Sequence, residues 1–348
     1  MTALRPPLLK LAREAAGLAQ KDVVAKLGVT QVTVSRWETG NREPSVDDLA
    51  RLADLYDVTP TFFTLDERDA GLVAGDLHHR RRRGVKVSDV RKLEARTNIL
   101  RIRAARLLGQ VDLDPVLHIP DLPVDEYTPE QAAREVRRAW NQPIGPIGNL
   151  TQLLELAGVV IVLGDFDIGL DGVSMWAGTW PVMHISRYAP PDRRRFTMAH
   201  ELSHLVLHRD SYSEDHGERQ ANRFAAEFLM PGEQIGPHLQ RLTLKTALAL
   251  KLEWYVAVSA LIMRARDLNI ITADHATRLH KQRSARGWTK REPYGEALPE
   301  ETPTTLERVE KVLLADGASP ADIAALTCRP EGRREGDRSA RKHLRTVP

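Results

Sequence analysis

Cysteine is almost missing from this 348-residue chain, which has one, Cys328, near its end. A lone thiol excludes an intramolecular disulfide and fits a reducing compartment. Long apolar runs are missing as well. No stretch approaches the roughly 20 residues that span a bilayer. The opening MTALRPPLLKLAREAAGLAQ turns polar too soon for a secretory signal, so a cytoplasmic protein with no membrane partner is expected. Charge of one sign is in slight excess only, with 50 Lys and Arg against 47 Asp and Glu. A sequence pI near 9.0 still permits contact with nucleic acid. What is present in quantity is apolar side chains, 42% of the total, enough for two or three modest cores and hence several domains.

The stretch Arg194 to His208, RRFTMAHELSHLVLH, contains the pattern HExxH at His200-Glu201-Leu202-Ser203-His204. Phe196, Ala199, Leu202 and Val206 recur at helical spacing. On a helix, residues four apart stand one turn above each other, so both imidazoles project from one face and can hold one metal ion. Glu201 flanks that ion instead of binding it, the arrangement of a zinc hydrolase with a carboxylate base. The alternative is a buried helix whose two histidines are simply hydrogen-bonded.

A third ligand is offered by the next helix, where Ala221, Phe224, Ala225, Phe228 and Leu229 make an apolar face that ends at Pro231-Gly232. Glu218, near its start, is placed to complete a His-His-Glu set with one open position. Glu227 is a rival, nine residues on and on a different face. His208 lies one turn beyond His204, and a straight helix cannot bring three successive turns onto one small ion, so a supporting role is expected. Asp210, Glu214, Asp215 and His216 fall in the polar connection and are held in reserve as metal or substrate contacts. Tyr188, Tyr212 and His216 are candidates for stabilising an oxyanion.

The segments AHELSHLVLH and ERQANRFAAEFLMP, with DGVSMWAGTWPVMHISRYAPPDRRRF upstream, resemble the ImmA/IrrE family of metallo-endopeptidases. The resemblance implies Zn2+ held by His200, His204 and Glu218, with Glu201 as catalytic base.

The first sixty residues read as short helices. Leu8, Leu11, Ala12 and Ala15 mark one, closed by Gly17; Val23, Val24 and Leu27 mark the next; Gly28-Val29 turns the chain. Thr30 caps a third helix carrying Val34 and Trp37, and Ser45 with Asp48 forms a capping box for a fourth. This is the shape of a helix-turn-helix. The wording AQKDVVAKLGVTQVTVSRWETGNREPSVDDLARLADLYDVTP resembles the XRE (Cro-type) repressor domain. That resemblance implies a double-stranded DNA operator, with the third helix in the major groove. Gln31, Thr33 and Arg36 match base edges, while Gln20, Asn41 and Arg42 suit phosphates.

The remainder is read more coarsely. Asp66 to Val87 is a connector around His78-His79 and the run Arg80 to Arg83. Ser88 to Gly109 forms a long basic helix, Thr128 to Gln131 a capping box, and Asn149 to Leu156 a further helix. Strands are expected at Gly158 to Leu163, Gly172 to Trp176 and Val182 to Ile185, with Val182 to Ser186 as an open edge for an extended substrate. After Pro231, helices are expected at Leu242 to Leu252, Ala257 to Leu268, Thr304 to Leu314 and Pro320 to Leu326. The first two of these, within LALKLEWYVAVSALIMRARDLNIIT, hint at another helix-turn-helix; the alternative is packing against the peptidase.

The expected fold is multidomain and mainly α with a small β-sheet: an all-α helix-turn-helix domain, an α+β zincin-like metallopeptidase domain and a helical C-terminal region. The boundaries are 1–65, a basic linker 66–87, the metallopeptidase domain 88–240, the helical region 241–328 and a basic, disordered tail 329–348. The expected function is a DNA-binding regulator with a zinc endopeptidase that cleaves a repressor-type protein, such as an XRE-type repressor, in stress response, mobile-element or toxin-antitoxin control. A homodimer follows from paired half-sites. The alternative is a regulator whose metal domain senses a ligand or holds a partner without turnover.

Overall fold

Helix formation at the N-terminus follows from the caps. In the computed structural model, which describes residues 3–66, 86–142, 144–166, 170–209 and 214–332, α1 (Pro6–Ala16) ends on Gly17 and α2 (Gln20–Leu27) ends on Gly28, both left-handed. Glycine adopts that conformation without a Cβ clash. Thr30 accepts a hydrogen bond from the Thr33 amide to start α3 (Gln31–Glu38), and Ser45 does the same from Asp48 for α4 (Val46–Tyr56). A 3-10 turn at Pro60–Thr64 adds Phe62 and Phe63 to the core of Leu8, Val23, Val34, Trp37 and Leu52.

The long helix α5 (Val87–Leu108) divides its apolar residues between two cores. Ala95, Ile99 and Ile102 pack into the helix-turn-helix core, while Leu100, Ala104, Leu107 and Leu108 pack on the β-sheet. The Arg96 guanidinium donates to the carbonyls of Ala15 and Asp165, tying α1 to the loop after the first strand.

Two helices, α6 (Pro129–Ala139) with its Thr128–Gln131 capping box and α7 (Leu150–Leu156), precede the sheet. The sheet has β1 (Val160–Gly164), β2 (Gly172–Ala177) and β3 (Trp180–Ser186) in the order β1-β3-β2. β1 runs parallel to β3 and β2 antiparallel to it, with Val173 opposite His184. β3 is therefore central, and the expectation that Val182 to Ser186 forms an open edge is corrected. Both its hydrogen-bonding sides are occupied, so β2 is the edge strand that neighbours the HExxH helix.

That helix, α8 (Pro191–Leu207), crosses one face of the sheet against Ile161, Met183 and Ile185; α5 covers the other face against Val160, Val162 and Val182. The alternation along each strand produces these two faces. Helix α9 (Glu214–Leu229) packs along α8 and α6. Next come α10 (Gly232–Leu239), α11 (Leu244–Trp254), α12 (Val258–Asp267) and α13 (Ala273–Ala285), which share the core of α8. Then α14 (Thr305–Ala315) and α15 (Pro320–Thr327) join the core between α5 and the sheet.

Among the described residues no single helix is long and apolar enough to cross a membrane; α11 and α12 pass such a test only as a pair bent by 103°, and that pair is packed into the core. The bend matches a helix-turn-helix corner. The start of α12 is nonetheless occupied, because the Glu292 carboxylate accepts from the amides of Val258 and Ser259. An acid seated there repels phosphate, so α12 is a packing helix.

Two buried cations around α8 are paired with acids. Lys251, fully buried, meets Asp192 and also Glu292 at 3.1 Å; Arg195 meets Glu301, which accepts from the amide and hydroxyl of Thr151 at 2.8 and 3.0 Å. Such charges survive burial only when compensated in this way. Three expected features lie outside the described residues: most of the connector, including His78, His79 and the arginine run; Asp210 and Tyr212; and the tail beyond residue 332.

Candidate metal centre and DNA-reading helix

The i, i+4 spacing on α8 brings His200 and His204 together with their Nε2 atoms 3.3 Å apart. Two nitrogens on one tetrahedral zinc, each at about 2.0–2.1 Å, stand about 3.3 Å from each other, so the separation fits a shared ion. Glu218, on the second turn of α9, places Oε2 3.7 Å from His200 Nε2 and Oε1 3.7 Å from His204 Nε2. The ligand atoms of the three residues lie within 4.8 Å of one another. Two nitrogens and one carboxylate make a donor set suited to zinc.

The other ring nitrogens are engaged, and this leaves the Nε2 lone pairs for the ion. His200 Nδ1–H donates to Asn222 Oδ1 at 3.3 Å, and Asn222 Nδ2 donates to the Glu218 carbonyl. His204 Nδ1 meets His208 Nδ1 at 2.9 Å, and His208 Nε2 meets Gln220 Oε1 at 3.0 Å. With His208 Nε2–H donating to Gln220, its Nδ1 must accept, so His204 carries its proton on Nδ1. Burial lowers the His208 pKa, which keeps that ring neutral. His208 thus contacts a candidate ligand from one turn beyond it.

Electrostatics favour a cation at this point. Burial pulls the His200 pKa down, but hydrogen bonding to Glu218 and the nearby charges of Glu201 and Glu218 outweigh it and raise the pKa above its ordinary value. Surroundings that draw a proton there draw a divalent ion for the same reason.

Glu201 is buried on the β2 side of α8, where Ser174 donates to Oε2 at 2.7 Å and to the Glu201 carbonyl at 3.3 Å. Helix and strand approach closely here because residue 172 is glycine. A Cβ at that position would stand 2.6 Å from Thr197 Cγ2 and 3.4 Å from Glu201 Cγ.

Other candidates are placed elsewhere. Glu227 is buried against Arg264 and, at 3.0 Å, Arg134, which explains its charge without a metal. Tyr188 is exposed and its hydroxyl meets Asp165 at 3.4 Å; His216 is exposed beside Arg219. Glu214 and Asp215 begin α9, and their side chains lie outside the described set. Ser174, Asn222 and Gln220 escaped the reading of the sequence. The signal for Ser174 was a lone polar residue on the inner face of an otherwise apolar strand.

In the N-terminal domain α3 exposes Gln31, Val32 and Arg36, and Asn41 and Arg42, just after it, are also exposed. Thr33 is half-buried, with its hydroxyl 2.9 Å from that of Thr30. Gln20 is also half-buried and donates to Glu38, whose carboxylate is held by Arg13 at 2.6 Å. Val32, 58% exposed, was missed because its neighbours Val34 and Trp37 carry the inward pattern.

A helix-turn-helix with an open third helix, joined to an α+β domain with an HExxH cluster, defines a DNA-binding-type domain fused to a metallopeptidase-type domain. Comparison with family models agrees on both parts: residues 9–63 match the helix-turn-helix model, and residues 155–266 match the IrrE N-terminal-like domain. Both matches agree with the resemblance to an XRE-type helix-turn-helix and to an ImmA/IrrE-like domain. A search of curated proteins finds no match.

Proposed function

We propose that this chain is a transcriptional regulator that binds double-stranded operator DNA and carries a zinc-dependent endopeptidase. The observation that carries the enzymatic half is the Glu201 carboxylate, buried next to the His200, His204 and Glu218 cluster and oriented by Ser174. A module that only held metal would need the ligands and no oriented base. When bound at those ligands, zinc acidifies a water molecule and polarises a carbonyl oxygen. Glu201 accepts the proton at a carboxylate oxygen and returns it to the leaving amine. Ser174 holds the other rotamers of Glu201 out of play, His208 and Asn222 fix the rings of the ligands, and the edge of β2 is available to pair with an extended peptide backbone.

The regulator half is supported by the exposed start of α3. Gln31 and Arg36 face base edges, Val32 suits a thymine methyl group, and Asn41 and Arg42 suit phosphates. Thr33 and Gln20 serve the domain's own caps and ion pair first. The substrate is a protein, and an XRE-type repressor in stress response, mobile-element or toxin-antitoxin control suits a chain that joins these two modules. A homodimer suits paired half-sites, and reading DNA suits work in the cytoplasm.

One observation favours a second reading, a metal-dependent sensor without turnover: α5 belongs to the cores of both domains, which suits transmission of a signal. Metal analysis with an unbiased search for cleavage products, in cells expressing wild type or Glu201→Gln, tests the two. New peptides that vanish in the variant support the peptidase. Identical profiles with zinc in both proteins would favour the sensor.

A further inference from the structure

A cleft of about 1240 Å³ opens between α9 and α12, beside the metal cluster. It adjoins that cluster at two residues. Asn222 lines the cleft and contacts His200; Phe196 lines it one helical turn before His200, on the same face of α8. The lining is more apolar than polar, with Phe196, Ala226, Ala260, Met263 and Leu268 among it, and Met263 is 37% exposed.

The charge on its rim leans positive. Exposed Arg134, Arg193, Arg219, Arg223, Arg266 and Lys290 face exposed Glu233 and Asp267 and half-buried Glu130. Four of the arginines have an acidic neighbour, Arg134 with Glu227, Arg193 with Asp171, Arg223 with Glu130 and Arg266 with Asp267. Arg219 and Lys290 remain, against Glu233, and carry the excess. The buried acids of the wall do not offset it, since Glu227 also meets Arg264, and Asp192 and Glu292 meet Lys251 and Arg283. An apolar floor under a cationic rim complements a chain that carries bulky apolar side chains between acidic ones.

We propose that this cleft binds the part of a protein substrate next to the scissile bond, and that it selects an acidic segment with apolar anchors. The assignment rests on the peptidase reading for its location and adds to it a substrate class.

Zinc-loaded full-length Glu201→Gln is titrated with fluorescein-labelled peptides of alternating Leu and Glu, with Leu and Lys, and with Gln and Glu, and read by anisotropy. The Leu/Glu peptide is expected to bind, more weakly as salt is raised, and about tenfold more weakly after Arg219→Glu with Lys290→Glu. Met263→Glu, a separate change in the floor, is expected to weaken it as well. The other two peptides are expected to bind at least about tenfold less tightly, a gap of about 1.4 kcal/mol. Equal binding of acidic and basic peptides, indifference to both sets of substitutions, or preference for a single-stranded oligonucleotide over the Leu/Glu peptide would overturn the assignment. The two readings fail separately. Cellular cleavage sites without acidic neighbours sink the cleft and spare the peptidase; peptide binding without any cleavage by wild type sinks the peptidase and leaves a peptide groove.

Discussion

Ser174 Oγ stands 2.7 Å from Glu201 Oε2, a hydrogen bond from the edge strand of the sheet to the acidic residue of the HExxH motif. Both residues are buried, Ser174 completely. The hydroxyl donates to one carboxylate oxygen, so a strand residue holds a helix residue in place.

Ser174→Ala is therefore expected to keep the metal and the fold but lower kcat by about tenfold with KM little changed, the loss of orientation in a general base whose whole contribution is of order 10²–10⁴. Steady-state kinetics on a cleaved peptide, with metal content measured in parallel, check this. A change in KM alone would point to substrate contact instead.

His208→Phe removes the acceptor for the His204 Nδ1 proton and frees Gln220. Outer partners of this kind are worth about 10–100-fold in metal affinity. Competition with a chromophoric chelator is expected to show a loss in that range, while His204→Ala is expected to bind no metal at the site. Unchanged zinc affinity in His208→Phe would mean that His204 is oriented by packing alone.

In the helix-turn-helix domain, Glu38 takes hydrogen bonds from Arg13 and Gln20, and its side chain is only 7% exposed. Glu38→Ala leaves the Arg13 guanidinium buried with its main partner gone. Breaking such a pair costs about 3–5 kcal/mol, and loss near the lower end of that range is expected in denaturant melts, with Arg13's backbone acceptor, the Leu18 carbonyl, still in place. Operator binding should fall through unfolding, and a fully folded variant at the working temperature should bind DNA normally.

Cys328 sits in the helix-turn-helix core although it ends the last described helix, and its carbonyl accepts from the Thr59 amide at 3.0 Å. Burial raises its thiol pKa above the ordinary value, so at pH 8 less of it is thiolate than in a free cysteine. As the sole thiol in the chain it reports on this contact directly. Slow reaction with a thiol reagent in the native protein, rising about tenfold or more on denaturation, is expected; equal rates in both states would mean that the C-terminal segment is detached.

Local chain geometry carried the legible part. Four-residue spacing in HExxH already put two imidazoles on one face, the Thr30, Ser45 and Thr128 caps announced their helices, and the glycines at 17 and 28 closed theirs, because each of these depends on neighbours within one or two turns. Strand positions were also legible from their β-branched runs, but strand order was not: a strand buried on both faces reads alike at the centre or the rim, which is why Val182 to Ser186 proved central and β2 took the edge. Only the tertiary structure decided that Ser174 meets Glu201 across 27 residues, that Thr151 meets Glu301 across 150, and that α5 enters two cores at once. Such partners are chosen by which elements pack together, and no periodicity along the chain records that choice.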